Sequence, residues 1–476
     1  MSNSNDPLTT EKMELIQNQE EKSYWTLIRD NRPFRFYLGS YLLGHMGEWL
    51  TYIASITVIE ELQGEKISRT AISWLVIIRL MPHVIFSPAG GALADSRDRR
   101  ESMIALELLG AMIALLYLLA YYVGSIGAIY LVTLLQETNA AVFEPCRSSM
   151  LSLLVDDEEY LKKATTLTGL AWSLMAAIGA ALGGFVVAAF GIRACFLLDG
   201  ATYLGSAMLM YMVHGTWSAI DKSAEKYESV WHQVRGMTVD GFSYLKESFF
   251  GPLILLKASV SIIYGASDVL NVAFSERGST NSSTKLGLLF SLVGVGCIIG
   301  PLICDMFTSM DRLITLQQAT ILSMFAVTFG SLGMGLFHPF FYTCLFTMVR
   351  AGGSSAVWIN SSILLQTFAD PEKLGRVLSV DYALALLCES MGALASGLLM
   401  DKLNFEAEEV CLVMAVLGAI LSICWTIYHL SGGVAAQTNI DEKRGTVKKL
   451  ELDEHMPHVH ERTALINHIV ERKDTL

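Results

Sequence analysis

The stretch GGALADSRDRR, residues 90–100, places two aspartates and three arginines between two long apolar runs. The chain around it is rich in apolar residues: 52% of its 476 residues are hydrophobic, 17% are charged, and the mean hydropathy is +0.44. A membrane-spanning helix needs roughly 20 apolar residues, because it crosses a core of about 30 Å at 1.5 Å per residue. The charged stretch is therefore typical of a short loop between two such helices.

Twelve apolar runs of sufficient length follow one another along the chain and predict a polytopic, all-α membrane protein. The net charge of −12 and the lack of a basic domain argue against nucleic acid as a partner. The eight cysteines form no CxxC pair, so the sequence predicts no disulfide framework, no metal site and no cofactor. The runs are 36–62, 70–94, 103–123, 126–154, 164–190, 194–214, 250–274, 285–308, 313–337, 340–368, 374–400 and 409–430.

The distribution of basic residues predicts the orientation in the membrane. With both termini in the cytosol, 25 of the 34 Lys and Arg residues fall on the cytosolic side, 6 on the opposite side and 3 within helices. Such an excess marks the cytosolic face. The sequon NSS at Asn281 then lies on the outer or lumenal face, where glycosylation takes place.

An internal repeat divides the chain into two halves around the polar stretch 215–249. RSSMLSLLVDDEEYLKKATT (147–166) aligns without gaps onto NSSILLQTFADPEKLGRVLS (360–379), with six identical positions. Repeated halves around a central substrate site are common in secondary transporters. We therefore expect twelve transmembrane helices in two six-helix, pseudo-symmetric bundles. The predicted organisation is a disordered cytosolic tail (1–35), a first bundle (36–214), a cytosolic linker (215–249), a second bundle (250–430) and a disordered cytosolic tail (431–476).

The charged stretch also resembles the signature loop of the major facilitator superfamily, which follows the second helix. The matching residues are Gly91, Leu93, Asp95, Arg99 and Arg100. Asp98 stands where most members have glycine. Together with VFEPCRSSMLSLLVDDEEYLKKATT (142–166), this makes the chain look like the branch of macrolide-efflux and enterobactin-export proteins, over most of 36–430.

The resemblance implies the fold of that superfamily and a gating role for the loop. In the family an acid at the position of Asp95 contacts the facing half and helps to hold the outward-open state. The alternative is that the loop only anchors the helix ends on the cytosolic side. The counterpart in the second half, GPLICDMFTSMDR (300–312), keeps Gly300 and Leu302, but its acid has moved to Asp305.

Ionisable residues within the apolar runs point to a transport pathway, because such groups are costly in a bilayer and need a partner or a function. From a rise of 1.5 Å per residue, Glu48 lies about 18 Å and Arg79 about 16 Å from the cytosolic edge. Glu137 and Arg350 fall near the same depth. We therefore expect a midplane cluster of Glu48, Arg79 and Glu137, facing Arg350 across the halves.

Neighbouring residues extend this prediction. His45 shares a helix face with Glu48, and His83 shares one with Arg79. The resembled branch often has an acid at the position of Glu48, in a context seen here as GEW, and such an acid can exchange a proton. The alternative is a structural Glu48–Arg79 pair without a transport role.

Other charged and aromatic residues receive secondary assignments. The candidates for coupling in the second half are Asp268 and Glu389. Three further residues are expected to snorkel or to cap helices: Glu107, Lys257 and Asp381. The aromatic residues of FRFYLGSY (34–41) are expected to form an interfacial belt.

Two short motifs in the tails predict cellular sorting. EKMELI and ERTALI both fit the acidic dileucine pattern that sorting adaptors read on cytosolic tails. They favour an endolysosomal or vacuolar membrane, or a plasma membrane from which the protein is internalised; the alternative is a pair of short amphipathic stretches. The motif residues are Glu11, Leu15, Ile16, Glu461, Leu465 and Ile466.

The leading functional hypothesis is a secondary active transporter that exports a small organic molecule from the cytosol, coupled to protons. No Walker loop is present, which argues against pumping driven by ATP within this chain. The alternatives are a facilitative uniporter or nutrient importer on the same fold and a transport-inactive receptor or scaffold. An enzyme is not expected, because the sequence has neither HExxH nor a nucleophile elbow in a usable context.

Overall fold

A computed structural model describes residues 23–64, 68–155, 157–215, 217, 250–276, 282–307, 313–368 and 374–433. Within these ranges the chain forms a short helix, Tyr24–Asp30, and twelve long helices, one for each predicted apolar run. A π-helical turn, His429–Gly433, follows the last of them. The long helices are α1 (Arg32–Gln63), α2 (Arg69–Ser96), α3 (Arg99–Val123), α4 (Ile126–Leu154), α5 (Glu158–Phe190), α6 (Ile192–Tyr211), α7 (Phe250–Ser275), α8 (Ser282–Phe307), α9 (Leu313–Leu336), α10 (Phe340–Phe368), α11 (Leu374–Leu403) and α12 (Ala407–Tyr428).

Nine of these helices, over the described ranges, are long and apolar enough to cross a membrane. The other three, α1, α6 and α10, are long but do not meet this criterion of apolar composition. They carry the ionisable residues Glu48, Asp199 and Arg350 respectively. A helix that presents polar groups to the protein interior does not need an apolar surface all round. The protein is thus an integral, multi-pass helical membrane protein, as predicted.

The first helices begin at side-chain caps that the sequence analysis missed. Ser23 forms a capping box with Thr26 at the start of the short helix. Asn31 caps α1 by accepting from the backbone N–H of Phe34 at 2.9 Å, and its amide donates to the carbonyl of Leu154 at 2.8 Å. Such caps satisfy backbone donors that a helix start leaves free. Helix therefore begins at Tyr24, within the range 1–35 that the sequence analysis assigned to the N-terminal tail.

The aromatic residues at the start of α1 are part of the core rather than an interfacial belt. Phe34 and Tyr37 are buried in a cluster with Met103 of α3 and with Cys146 and Met150 of α4. The belt prediction is wrong for these two residues because their side chains are buried inside the helix bundle.

Among the described residues, those from 23 to 422 belong to one compact unit and those from 423 to 433 to another. Within the first unit, α1 packs on α5 and α6, α2 on α4, and α3 on α4 and α6. Among the later helices, α10 packs on α7, α8 and α9, and α7 also packs on α11. The first six long helices meet the last six mainly through two helix pairs, α2 with α11 and α5 with α8.

Glycines allow the α5–α8 pair to approach closely. A Cβ atom on Gly184 would lie 2.6 Å from the carbonyl oxygen of Ser283 and 3.0 Å from the Cα of Gly287. Small residues at such positions are a common means of helix association in membranes. The contact between the two sets of helices therefore depends on the lack of a side chain at Gly184.

Large apolar side chains are exposed along α3, α6, α9 and α12. An apolar surface of this extent on a helical protein indicates contact with lipid. The exposed residues include Leu115, Leu119, Leu204, Met208, Leu322, Phe329, Val416 and Ile420.

Candidate functional site

The predicted partners Arg79 and Glu137 form an ion pair between α2 and α4. Arg79 Nε lies 3.2 Å from Glu137 Oε1, and His83 Nε2 lies 3.3 Å from Glu137 Oε2. His83 follows Arg79 by one helical turn, so both side chains reach the same carboxylate, as their shared face predicts. Both basic side chains and Glu137 are only partly exposed.

The guanidinium of Arg79 also stacks on an aromatic ring that leads to the second half of the chain. It lies 3.7 Å from the ring centroid of Tyr52 on α1, a cation–π arrangement. The hydroxyl of Tyr52 donates to Asp268 Oδ2 on α7 at 2.5 Å. The contacts therefore run from Glu137 through Arg79 and Tyr52 to Asp268. The sequence analysis named Asp268 only as a candidate of the second half and missed Tyr52.

Glu48 belongs to the same region, but its ion-pair partner differs from the one considered in the sequence analysis. Its Oε2 lies 2.8 Å from Nδ1 of His45, one turn earlier on α1. The pair with Arg79 is made by Glu137 instead. Depth along the helices was predicted well enough to bring these residues together, whereas the rotation of α1 about its axis decides which acid meets the arginine.

Two cavities adjoin Glu48, which lines both. Cavity A and cavity B each enclose about 20 Å3, room for about one water molecule. The polar and aromatic residues around cavity A include Tyr41, Glu48, Glu107, Asn139, Phe143 and Arg147. Those around cavity B include Glu48, Tyr52, Arg79, Gln136, Glu137 and Tyr203.

Asp199 on α6 anchors a buried polar network that the sequence analysis did not identify. Its Oδ2 accepts from the hydroxyl of Thr51 at 2.6 Å and from the amide of Gln136 at 3.3 Å. Gln136 also donates to the hydroxyl of Tyr203 at 3.1 Å. Asp199 lies within an apolar run, so the rule applied to Glu48 would also have found it.

Arg147 and Glu107 are buried beside cavity A. Arg147, to which the sequence analysis gave no role, forms an ion pair with Glu144 and lies 4.4 Å from the ring centroid of Tyr41. Glu107, expected to snorkel or cap, accepts from the hydroxyl of Ser206 at 2.6 Å. The expectation for Glu107 is wrong because α3 turns this side chain towards the helix bundle.

Lys257 and Asp381 also differ from expectation. Lys257 Nζ lies 2.6 Å from Asp381 Oδ2, and the side chains are 4% and 1% exposed. Lys257 in addition lies 4.0 Å from the ring centroid of Trp358. The two residues therefore form a buried ion pair between α7 and α11 rather than snorkelling towards the membrane surface.

Arg350 and Glu389, the remaining coupling candidates, are not among the residues that line cavities A and B. Arg350 is 2% exposed, and its Nη2 lies 3.5 Å from Oδ1 of Asn271 on α7. Glu389 is partly buried on α11, where its carbonyl closely approaches Gly265 of α7. The expected contact of Arg350 with the cluster is thus not seen among the described contacts.

We call the end of the helix bundle at which α1 finishes and α2 starts the α1–α2 end. At this end, Asp401 and Glu276 bind the first residues of α2. Asp401 of α11 accepts from Ser68 Oγ at 2.6 Å and from the backbone N–H groups of Arg69 and Thr70 at 2.9 and 2.8 Å. It thereby caps a helix of the other half. Arg69 forms a bidentate ion pair with Glu276, which follows α7, with both contacts at 2.5 Å.

The charged stretch of residues 90–100 caps three helices at the opposite end of α2. Asp98 caps α3 by accepting from the N–H of Glu101 at 3.1 Å. Arg99 donates to the carbonyl of Ser149 on α4 at 3.1 Å. Arg100 donates to two carbonyls at the end of α6, Met210 at 3.2 Å and Tyr211 at 2.7 Å.

These contacts give Arg99 and Arg100, two of the five motif residues, a structural role. Leu93 packs at the edge of the same buried cluster as Phe34. The surroundings of Gly91 and the side chain of Asp95 lie outside what the structure describes, so the gating role of Asp95 stays a prediction. Outside the described ranges lie the sequon Asn281 and the sorting residues Glu11, Leu15, Ile16, Glu461, Leu465 and Ile466.

Comparisons with known proteins agree with this architecture. A profile of the Major Facilitator Superfamily matches residues 37–303. The MFS-type transporter YfiS of Bacillus subtilis (strain 168), itself uncharacterised, is 24% identical over 409 residues, which is 83% of this chain and 92% of YfiS. Macrolide efflux protein A of Streptococcus pyogenes is 22% identical over 358 residues, 74% of this chain and 86% of that protein.

Among solved structures, a bacterial homologue of the human lysosomal transporter Spinster, in an inward-facing and unoccupied conformation, has the same fold. The TM-score is 0.63 at 11% identity, over 86% of this chain and 98% of that one. The twelve long helices, the residues matched by the family profile and this likeness in fold all lead to one assignment. The chain belongs to the major facilitator superfamily of membrane transporters.

Proposed function

We propose that this protein is a secondary active transporter that exports a small organic molecule from the cytosol by alternating access, in exchange for protons. The observation that carries the proposal is the series of contacts from Glu137 through Arg79 and Tyr52 to Asp268. It links α4, α2 and α1 to α7, and it lies beside cavity B. Ionisable groups buried in a membrane protein are typical of substrate and ion pathways.

The contacts at the α1–α2 end support alternating access. Asp401 and Glu276 hold the start of α2 from the other half of the chain. A movement that separates the halves at this end has to break these hydrogen bonds, and the reverse movement restores them. At the other end of α2, the family resemblance assigns the corresponding role to Asp95, together with Gly91 and Leu93.

Protons are proposed to act at Glu48 and Glu137. In the described contacts Glu48 pairs with His45, and Glu137 pairs with Arg79 and His83. If the basic partner moves away, the carboxylate keeps a buried charge without compensation, which is costly in a medium of low dielectric constant. Binding a proton removes that cost. A movement of Arg79 with Tyr52 and α7 therefore couples the position of the halves to proton uptake.

The test measures accumulation of radiolabelled erythromycin in everted vesicles from bacteria that express the full chain. Erythromycin is the probe because one relative is a macrolide efflux protein. We expect uptake into everted vesicles that a protonophore abolishes. Glu48→Gln is expected to remove the dependence on the pH gradient while the protein still folds. Glu61→Gln, an exposed position on the same helix, is the matched control and is expected to change nothing.

Other outcomes contradict parts of this proposal. If erythromycin equilibrates across the membrane equally with and without the protonophore, the protein is a facilitative uniporter or importer. No flux of erythromycin, in vesicles whose protein is folded, indicates that macrolides are not cargo, and absence of flux for every cargo tested indicates a receptor or scaffold. Arg350 and Glu389 remain proposed coupling residues of the second half, to be tested in the same assay as Arg350→Lys and Glu389→Gln.

The proposed location is a plasma membrane or an endolysosomal or vacuolar membrane, with both termini in the cytosol. The asymmetry of basic residues supports the orientation. The two dileucine patterns support sorting by adaptors, and the bacterial relatives support a plasma membrane. Imaging of a fluorescent fusion with Leu15 and Ile16 both changed to Ala tests the sorting, and a shift in gel mobility after glycosidase treatment tests Asn281.

A further inference from the structure

The α1–α2 end contains a buried carboxyl that the contacts described so far do not explain. Glu60 belongs to the last turn of α1 and is 8% exposed. Its Oε1 has no hydrogen-bond partner within the described part of the chain. A buried carboxylate is costly unless it is paired with a base or receives hydrogen bonds. Glu60 therefore needs a partner that removes its charge or donates to it.

Glu60 faces a second carboxyl, which belongs to the other half of the chain. Its side chain lies within hydrogen-bonding reach of Glu276, the residue that follows α7. The two oxygens of Glu276 already accept from Arg69, one from Nη1 and one from Nη2. Two ionised carboxylates in one site repel each other, and neither can donate a hydrogen bond to the other. One proton on the pair removes the repulsion and supplies the missing donor.

The other charges at this end do not neutralise Glu60. Among the described residues, the ionisable groups that act on it are Glu276 and Arg69. Arg69 is engaged by Glu276 through both terminal nitrogens. Asp401 of α11 accepts from the backbone N–H of Arg69 and adds a further negative charge nearby. The acids around Arg69 therefore outnumber it, and this balance favours a proton on the carboxyl pair.

We infer that Glu60 and Glu276 bind one proton between them when the α1–α2 end is closed and release it to water when this end opens. The two residues belong to different halves, so a movement that separates the halves also separates the two carboxyls. Glu60 then faces water, where a single carboxylate is ionised near neutral pH. In the predicted orientation, the proton is exchanged with the outer or lumenal compartment. The inference rests on the proposed alternating access and adds a proton site to Glu48 and Glu137.

The test follows opening of this end in the full chain, in lipid nanodiscs, between about pH 6 and pH 8. A cysteine replacing Ser73 reports opening, because Ser73 is buried against the carbonyl of Ala393 on α11. Its reaction with a hydrophilic maleimide is followed at this site by mass spectrometry and divided by the rate in denatured protein at the same pH. If one proton is bound only in the closed state, this ratio rises with pH, by up to about tenfold per pH unit.

Two variants assign the effect to the carboxyl pair. Glu60→Gln is uncharged and carries an amide donor, so the ratio is expected to stay low at every pH. Glu61→Gln, the same change at the exposed neighbour, is the matched control and is expected to keep the pH dependence. If Glu60→Gln does not fold, Glu276→Gln replaces it. This variant leaves Arg69 free to pair with Glu60, so no proton is needed and the pH dependence is expected to disappear.

Three results overturn the inference. The first is a ratio that does not change with pH in the protein whose only substitution is Ser73→Cys. The second is pH dependence that persists in folded Glu60→Gln or Glu276→Gln, and the third is its loss in Glu61→Gln. The measurement uses neither cargo nor a proton gradient. The transport proposal fails on a different result, the absence of proton-driven flux in vesicles, so the two failures are distinguishable.

Discussion

Replacing Asp401 by alanine is expected to release the α1–α2 end. The carboxylate accepts from Ser68, Arg69 and Thr70, all at the start of α2, although it belongs to α11. Removing an N-cap costs typically about 1 kcal/mol, and removing a negative charge from a helix start costs about 0.3–1 kcal/mol. Because Asp401 is exposed, we take the lower part of these ranges and expect about 1.5 kcal/mol.

This free energy stabilises only states in which α2 and α11 touch at this end. Losing about 1.5 kcal/mol therefore raises the population of states open at the α1–α2 end about tenfold. The assay is the rate at which a cysteine at Ser73 reacts with a hydrophilic maleimide in detergent solution. Ser73 is buried against the carbonyl of Ala393 on α11, so its labelling reports separation of the two helices. We expect the rate to rise about tenfold.

Glu409→Ala is the matched control. Glu409 also accepts from a backbone N–H near the same end, that of Glu406 at 2.8 Å, but both residues belong to the start of α12. Its loss removes a local cap without affecting the contact between the halves. An unchanged labelling rate in Asp401→Ala, or an equal increase in Glu409→Ala, would show that the Asp401 contact does not hold this end closed.

Three further predictions concern buried contacts. Lys257→Met is expected to lower the free energy of unfolding by about 3–5 kcal/mol, because it leaves Asp381 charged and unpaired. Adding Asp381→Leu to this variant is expected to restore most of the lost stability. Both effects are measured by unfolding in mixed micelles. Gly184→Leu is expected to lower the melting temperature by blocking the α5–α8 contact, whereas Gly169→Leu on the same helix, where a Cβ meets no atom within 4 Å, is expected to have little effect. Tyr52→Phe removes the hydrogen bond to Asp268 of α7 but keeps the aromatic ring that contacts Arg79. This variant is expected to reduce proton-coupled uptake in vesicles about tenfold, with little change in melting temperature.

The fold was predictable because its signal is long and repeated. Each of the twelve apolar runs became one helix, and most bounds differ by only a few residues. The largest difference in a bound is at the start of α5, which begins at Glu158 and not at residue 164. Ahead of α1, the caps Ser23 and Asn31 start helices before the apolar run begins. Hydropathy does not detect caps, since their effect comes from single side-chain hydrogen bonds.

The site was predictable in depth but not in rotation. Position along the helix placed Glu48, Arg79 and Glu137 around one cavity, because helical rise is nearly constant. It did not show that Arg79 meets Glu137 rather than Glu48, since that depends on the packing of α1, α2 and α4. Arg147 was missed for the same reason: it lies close to a predicted loop, yet its helix turns it inwards.

The contacts of Arg99 and Arg100 have a mechanical consequence. From one short turn they reach the ends of α4 and α6, while the adjoining Asp98 starts α3. Four helices, α2, α3, α4 and α6, are thereby joined at one point, so a displacement of any one of them moves the others instead of bending that helix. The first half of the molecule therefore moves as a rigid body, and Arg99 and Arg100 determine how stiff it is.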